Sequence, residues 1–335
     1  MFYPASYGDP SIDGLINKAV SELTMRQSGE LMSSQTDLEE RLMRYIEEKG
    51  VVWPHSQESK EVITMRGGKW QLSGKSVLIT GAAEGIGAAT ARGLSARQAC
   101  LSLVDVQGDM LHQLALDLGG VAFCQQVDIT QPEALEAAVT ATLKRFGQLD
   151  VVLVNAGVVT VGSVERGDPL AFERVIRVNL LGAWQTVRAV LPHVIEASGY
   201  ILFVSSLAGT VQGPLHAAYN SSKAGLQALA NTLRLEVEGL GVDIGTAHLI
   251  YTATQTGRGA VEHPLMRALP GLPAMKPQPV EETAALLVRG IERRSRTIAT
   301  PAARLALLVP EVFQLAVEGL ARRRGWATAI REQGE

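Results

Sequence analysis

The chain has 335 residues, of which 46% are apolar and 19% are charged, and its net charge is −3. This composition is ordinary for a soluble globular protein and excludes fibrous and disordered classes. The length allows one large domain with an extension, or two domains. The small negative charge provides no overall field that favours nucleic acid.

Cysteine and histidine usage argues against a disulfide framework and against a metal site. The two cysteines, Cys100 and Cys124, each lie in an apolar run and are expected to be small buried side chains. The six histidines show no metal-ligand spacing. We see no signal peptide, and no apolar run reaches the roughly 18 residues of a membrane span. We therefore expect a reduced, cytoplasmic protein with no metal and no transmembrane segment.

Residues 1–70 are predicted to form a mainly helical extension that ends in a linker. Apolar residues at helical spacing begin at Leu15. Thr36 followed by Glu39 is a capping-box signature, and Gly50 is a good helix stop. We expect the extension to pack on the main domain or on a partner subunit; a separate functional module is the alternative.

From Lys75 onward, short apolar strands alternate with helices. The predicted strands are 77–80, 101–104, 121–127, 151–154, 200–204 and 242–250. The predicted helices are 86–97, a segment ending at 118, 132–146, 172–197 and 219–240. Because such strands are buried on both faces, the pattern predicts a doubly wound parallel sheet, a single Rossmann-like α/β domain over 71–300. Ligands in this fold bind beyond the carboxyl ends of the strands.

The first strand runs into a glycine-rich turn that suits a dinucleotide. The turn reads Thr80-Gly81-Ala82-Ala83-Glu84-Gly85-Ile86-Gly87. Glycines let the backbone approach a pyrophosphate closely, and the helix N-terminus stabilises the anion. Asp105 ends the second strand and can accept hydrogen bonds from the adenosine ribose, whereas it would repel a 2′-phosphate. Together with Glu84 it predicts NAD over NADP; a solvated strand end is the alternative for Asp105.

Tyr219 and Lys223 lie four residues apart, on one face of a predicted helix. A cation about 4 Å from a phenol, at an effective dielectric of about 20, contributes roughly 4 kcal/mol, or roughly 3 pKa units. Lys223 would thus bring the pKa of Tyr219 towards working pH, where acid–base catalysis is efficient. Taken alone, the pair also fits a partly exposed helix face.

Taken together, the motifs resemble the short-chain dehydrogenase/reductase family of the Tyr-x-x-x-Lys type over about residues 72–300. The matching motifs are Thr80–Gly87, Asp128, Asn155-Ala156-Gly157, Asn179, Ser205-Ser206 and Tyr219-x-x-x-Lys223. The resemblance implies an NAD-dependent oxidoreductase that interconverts a secondary alcohol and a ketone. It also implies a homodimer or a homotetramer.

The resemblance assigns the catalytic roles residue by residue. Tyr219 is the implied general acid/base, and it contacts the substrate oxygen together with Ser206. Lys223 lowers the pKa of Tyr219 and binds the nicotinamide ribose. Asn179 holds a water that links Lys223 to solvent, or it bonds the backbone at a helix kink.

The implied cofactor site draws on residues that follow the first four predicted strands and the sixth, together with the helix of Tyr219 and Lys223. Asp128 and Ile129 line the adenine pocket, and Asn155 also ties neighbouring strands together. The full set of implied cofactor residues is Gly81, Glu84, Gly85, Ile86, Gly87, Asp105, Asp128, Ile129, Asn155, Ala156, Gly157, Tyr219, Lys223 and Thr254. Leu249-Ile250 replaces the family's Pro-Gly pair after the sixth strand, so we expect a loop of different shape before Thr254.

Two C-terminal segments complete the predicted organisation. Residues 255–278 correspond to the family's variable substrate lid, and their apolar content predicts a hydrophobic substrate. The tail, 301–335, carries an apolar stripe followed by Arg322-Arg323-Arg324 and Trp326. This pattern is typical of a helix packed on the domain or on a second subunit; peripheral membrane contact is the alternative.

Two other functions compete with the NAD-dependent dehydrogenase. One is an NADPH-dependent ketoreductase, against which Asp105 and Glu84 argue. The other is a non-catalytic dinucleotide-binding sensor of the same fold. A sensor has no need of a complete set of Asn179, Ser206, Tyr219 and Lys223, so the sequence favours catalysis.

Overall fold

The computed structural model describes residues 69–120, 122–272 and 276–332. Within them, seven parallel strands form one sheet in the order β3-β2-β1-β4-β5-β6-β7. The strands are β1 (Ser76–Thr80), β2 (Cys100–Asp105), β3 (Phe123–Gln126), β4 (Val151–Val154), β5 (Tyr200–Ser206), β6 (Asp243–Leu249) and β7 (Thr297–Ile298). The strand order reverses between β1 and β4, which creates a crevice at the carboxyl ends. The predicted doubly wound, Rossmann-like sheet is confirmed.

Both faces of the sheet are covered by helices, as the continuous apolar strands require. The helices on and around the sheet are α1 (Gly85–Ser95), α2 (Gly108–Asp117), α3 (Pro132–Phe146), α4 (Pro169–Ile176), α5 (Ala183–Glu196), α6 (Ala217–Glu236) and α9 (Val280–Glu292). In β1, Val77 and Ile79 belong to the core beneath α1, α2 and α9. Leu78 points the other way, into the core beneath α3, α5 and α6.

The predicted helix 172–197 is one continuous helical segment with an irregular centre. It begins at Pro169, where the side chain of Asp168 accepts a hydrogen bond from Leu170 N and caps the helix. Arg177–Gly182 then form a π-helical turn between α4 and α5. Such wide turns are frequent at functional sites, and this one carries the fully buried Asn179.

Several boundaries differ from the sequence prediction because burial extends beyond hydrogen-bonded strands. Val127 and Val242 are buried, yet they lie outside β3 and β6.

Helix α9 and the two-residue strand β7 were not predicted, although α9 packs against α1 and β7 pairs with β6. Cys100 and Cys124 are partly exposed rather than buried.

The lid and the tail form a second layer over the carboxyl edge of the sheet. The predicted lid contains α7 (Gln255–Glu262) and α8 (Pro264–Arg267). Its ends are clasped, since Ala253 N donates to Gln278 O and Gln278 N donates to Tyr251 O, each at 2.9 Å. The tail folds as α10 (Pro301–Leu308), α11 (Pro310–Arg324) and α12 (Trp326–Glu332).

The predicted N-terminal helices lie outside the described residues. The domain proper is fastened at its start by Trp70, whose backbone N donates to Glu292 O at 2.6 Å. No helix in the part of the chain that the structure describes is long and apolar enough to cross a membrane.

Candidate active site

A cavity of about 1440 Å³ lies at the crevice between β1 and β4. It exceeds the volumes of roughly 300–1,000 Å³ that hold one small ligand, so a dinucleotide and a substrate fit together. Its wall contains nearly every residue of the predicted site, from Gly81 to Thr254. Gly87 and Asn179 lie behind this wall.

The glycine turn has no room for a side chain at Gly81 or Gly87. Gly81 has φ +65° and Gly85 has φ +54°, a region that glycine adopts without strain. A Cβ on Gly81 would lie 2.7 Å from Ala156 Cα, and one on Gly87 would lie 2.0 Å from Gly81 O. The bare backbone at the N-terminus of α1 therefore fits a pyrophosphate that must approach closely.

Asn155 holds this turn against the neighbouring strand. Its Nδ2 donates to Thr80 O at 3.0 Å and to Gly81 O at 2.9 Å. Its backbone N donates to Thr80 Oγ1 at 3.0 Å. The expected tie between β1 and β4 is thus present in the structure.

Asp105 is buried in the cavity wall rather than solvated at a strand end. Its Oδ2 accepts a hydrogen bond from Ala83 N at 2.9 Å, and its Oδ1 accepts one from Gln107 N at 3.0 Å. A carboxylate has about four acceptor positions, so capacity remains for ribose hydroxyls. The residues that follow it, Val106 and Gln107, also line the cavity and carry no positive charge.

The remaining predicted cofactor residues are Asp128 and Ile129, which follow β3, and Thr254, which follows β6. Asp128 Oδ1 accepts from Thr130 N and Oγ1 at 2.9 and 2.8 Å, which shapes the loop after β3. Ile129 is buried, and both residues line the cavity. Thr254 caps α7 by accepting from Gly257 N at 2.9 Å, and its Cγ2 would lie 3.1 Å from a Cβ on Gly85.

Two members of the predicted tetrad, Asn179 and Lys223, meet beside Gly157. A Cβ at Gly157 would lie 3.3 Å from Asn179 Oδ1 and 3.6 Å from Lys223 Nζ. Lys223 is buried, and its Nζ donates to Val204 O at 2.8 Å. The same nitrogen lies 5.7 Å from the centroid of the Tyr219 ring. The fourth member, Ser206, lines the same cavity; its Oγ donates to Leu249 O at 3.3 Å and accepts from Ala208 N at 3.1 Å.

The predicted fall in the pKa of Tyr219 is wrong for this structure. Burial raises the pKa of Tyr219, and the nearby Ser206 side chain offsets only part of that rise. Burial also lowers the pKa of Lys223 to about 8. Both effects have one cause, since a buried site disfavours the charged form of each group. Tyr219 is therefore a neutral phenol with a proton to donate.

Asn179 bonds the backbone, which was the alternative to the proton relay. Its Oδ1 accepts from Val158 N at 2.7 Å, while its Nδ2 donates to Val158 O at 2.9 Å and to Ser222 Oγ at 3.0 Å. Both amide donors are thereby used. For a proton relay through water, the Asn179 side chain therefore retains only the second acceptor position of Oδ1.

Two supporting residues, Gln227 and Ser222, were not predicted from the sequence. Gln227 Nε2 donates to Ser205 Oγ at 3.2 Å and to Ser206 O at 3.0 Å, so it holds the end of β5. Ser222 donates to Tyr219 O at 2.8 Å. A signal for Gln227 exists, because it lies one helical turn beyond Lys223 on the same face.

The substrate side of the cavity is formed by apolar residues, several of them unforeseen. Ile250 and Tyr251, within the loop that departs from the family pattern, line it. So do Val317, Leu320 and Trp326 of the tail. The tail thus packs on its own domain, which is one of the placements predicted from its apolar stripe. It also lines the cavity.

A dinucleotide cradle beside a Tyr-Lys pair defines a nicotinamide-dependent oxidoreductase. The family model described as short chain dehydrogenase matches residues 75–264, and the chain belongs to this family. The protein is therefore an oxidoreductase that acts on alcohols or ketones with a nicotinamide dinucleotide. The part of the chain that the structure describes contains no cluster of His, Cys, Asp or Glu suited to a metal ion.

Named relatives act on different alcohols. Trans-4-hydroxycyclohexanecarboxylate dehydrogenase of Sinomonas cyclohexanicum is 35% identical over 183 residues, which cover 52% of this chain and 71% of that protein. D-threitol dehydrogenase of Mycolicibacterium smegmatis is 31% identical over 204 residues, 60% of this chain and 78% of that protein. Alcohol dehydrogenase from the archaeon Thermococcus sibiricus, solved with 5-hydroxy-NADP, superposes with a TM-score of 0.59 at 29% identity, covering 68% and 95%.

Proposed function

We propose that the protein is an NAD-dependent oxidoreductase that interconverts a hydrophobic secondary alcohol and its ketone. The observation that carries the proposal is that Tyr219 and Lys223 line the same cavity as the glycine turn, with Lys223 Nζ 5.7 Å from the centroid of the phenol ring. A protein that only binds the dinucleotide would need the glycine turn but not the pair of Tyr219 and Lys223. The phenol and the ammonium beside it supply the proton chemistry of a dehydrogenase.

Asp105 supports NAD as the preferred dinucleotide. Its carboxylate is buried at the end of β2 and lines the cavity, where it offers acceptor positions to the two ribose hydroxyls. A 2′-phosphate there would meet a fixed negative charge, with Glu84 adding a second one nearby. The structural relative from Thermococcus sibiricus was solved with an NADP derivative, so the shared fold alone does not choose between NAD and NADP.

The residues present fit the dinucleotide along its whole length. Gly81 to Gly87 would hold the pyrophosphate, Asp105 and Ile129 the adenosine, and Lys223 with Thr254 the nicotinamide end. When bound there, the nicotinamide supplies or accepts the hydride.

Tyr219 handles the proton of the substrate oxygen in our proposal. As a neutral, half-buried phenol it donates to the ketone oxygen during reduction, and it takes the hydroxyl proton back during oxidation. Ser206 orients the same substrate oxygen. Oxidation requires the phenolate, so we expect it to be favoured at higher pH than reduction.

Exposed apolar side chains support self-association of the chain. Phe172, Leu181 and Trp184 are each more than two-fifths exposed and lie on the helical segment that carries Asn179. Exposed apolar patches commonly mark protein interfaces. A homodimer or homotetramer, which the family resemblance implies, would cover them.

The test combines turnover and binding in one pair of variants. Tyr219→Phe removes the proton donor, so we expect turnover of a secondary-alcohol panel to fall about 10²–10⁴-fold, while NAD binding is unchanged. Ser221→Ala, an exposed position on the same helix, is the control and should match wild type. In both proteins NAD should bind at least about tenfold more tightly than NADP, a difference of about 1.4 kcal/mol. Substantial turnover by Tyr219→Phe would refute the mechanism, and tighter NADP binding would refute the cofactor assignment.

A further inference from the structure

An apolar cap made of four separate chain segments covers the substrate side of the cavity. Its buried members are Leu215 before α6, Met266 and Leu269 of the lid, and Trp326 of the tail. The partly buried members are Val161, Leu265, Leu272, Val317, Leu320, Ala321 and Ile330. We call this set the lid–tail cap.

Polar contacts fasten the tail within the cap. Trp326 Nε1 donates to Pro270 O at 2.9 Å, which fixes the orientation of the indole. Gln314 Oε1 accepts from Gln212 N at 2.8 Å and ties α11 to the loop after β5. The tail is thus attached both to the lid and to the body of the domain.

The inner surface of the cap faces the cavity. Val317, Leu320 and Trp326 line it from the tail, and Met266 and Leu269 line it from the lid. The N–H of the indole is already bonded to Pro270, so this wall presents hydrocarbon and no free indole donor.

Polar groups near this wall do not offer a charge site. Arg267 lines the cavity, but its side chain is 68% exposed and pairs with Glu262. His216 also lines the cavity, and its Nδ1 lies 3.0 Å from Pro214 O. Burial lowers the pKa of His216, which keeps the imidazole neutral.

We infer that α11 and Trp326 form the far wall of the substrate chamber and set the size of the apolar body that the enzyme accepts. The inference rests on the proposed function, because it places the reacting oxygen at Tyr219 and the rest of the substrate against the cap. The substrate class is a secondary alcohol or ketone with an extended uncharged hydrocarbon body, either a chain or fused rings. Apolar walls discriminate by size, at about 10–200-fold per methylene step at best.

The apolar face of α11 is thereby assigned to the chamber rather than to a lipid surface. Val317 and Leu320 turn inwards, while Arg322, Arg323 and Arg324 remain exposed. A membrane-bound tail would have to expose the residues that close the cavity.

The experiment measures ketone binding rather than turnover, in the full chain carrying Tyr219→Phe and saturated with NADH. The probes are acetone, 2-hexanone, 2-decanone and androstane-3,17-dione, and binding is followed by titration calorimetry. Leu320→Trp fills the chamber, and Leu320→Ala enlarges it. Leu315→Ala is the matched control, because Leu315 lies on the same helix and is 45% exposed.

We expect affinity to rise with the apolar size of the probe before substitution at Leu320. Leu320→Trp should weaken the larger probes about tenfold and leave acetone and NADH unchanged. Leu320→Ala should weaken 2-decanone several-fold through lost contacts and favour the steroid relative to it. Leu315→Ala should change nothing.

Three results would overturn the inference: no dependence on probe size, an equal change for all probes, or an effect of Leu315→Ala as large as that of Leu320→Ala. Thermal unfolding of each variant shows whether the fold is kept. Failure of the proposed function is separate, because it appears as missing turnover in the wild type while these binding data stand.

Discussion

The two halves of the cavity are built by different means. The nucleotide half consists mainly of backbone, held by bonds among β1, β2 and β4 such as those of Asn155 and Asp105. The substrate half consists of side chains, contributed by segments as far apart in the chain as Tyr251 and Trp326. The first half depends on the position of single atoms, whereas the second depends on summed apolar contact.

This contrast predicts different responses to substitution. A single added methyl group should disable the nucleotide half, because backbone atoms cannot move aside without shifting a strand. The substrate half should respond by degrees, since apolar side chains can repack at moderate cost. Three predictions test the contrast, in order of expected size.

Gly87→Ala should have the largest effect. The added Cβ would lie 2.0 Å from Gly81 O, so the turn must open. We expect a loss of about 3 kcal/mol in unfolding free energy, the upper end of ordinary overpacking, and NAD binding weakened at least about hundredfold. Denaturant titration and NAD titration measure the two quantities.

The matched control for Gly87 is Gly319, which lies on helix α11 of the tail. A Cβ on Gly319 of α11 would meet no atom within 4 Å. Gly319→Ala should therefore stabilise the helix by up to about 1 kcal/mol. Equal damage from both substitutions would break the contrast between the halves.

Lys223 should give an intermediate effect that depends on pH. Burial lowers its pKa from 10.5 to about 8. Between these values the unfolded chain binds the proton and the folded chain does not, so the unfolding free energy rises with pH across this window. We expect the wild type to gain on the order of 2 kcal/mol over Lys223→Met between pH 8 and 10.

Denaturant titrations of both proteins at several pH values measure this difference. Tyr219 is present in both proteins, so the comparison reports the substitution at Lys223. Parallel stability curves for the two proteins would contradict the burial effect assigned to Lys223.

Trp326→Phe should have the smallest effect. It keeps an aromatic ring in the lid–tail cap but removes the hydrogen bond to Pro270 O. We expect a loss of about 1 kcal/mol in unfolding free energy, with NAD affinity unchanged. Thermal unfolding and NAD titration check both parts; weaker NAD binding would show that the two halves are coupled.

The same division explains what could be predicted from the sequence. The glycine turn, Asp105 and the Tyr219-Lys223 pair are identified by short spacings along one strand or helix, and the structure places them as those spacings require. The pKa of Tyr219 was predicted in the wrong direction because the sequence gives the charge of Lys223 but not the burial of either group.

The cap could not be predicted because its partners are remote in sequence. The apolar stripe of the tail indicated that α11 packs against something, but nothing local to it identifies the lid as that surface. Val317 and Trp326 enter the cavity only once the chain after β7 has turned back over the lid. Strand β7 itself, with two residues, is too short for a periodic signal.

The backbone hydrogen bonds that join Tyr251 and Ala253 to Gln278 make the lid a segment that could be exchanged as a whole. Because its two ends are bonded to each other beside the sheet, a lid of different length could be inserted between them without moving β6 or α9. The contact of Trp326 with Pro270 limits this freedom. A lid grafted from a relative would need its matching tail, so the two segments form one unit for engineering new substrate ranges.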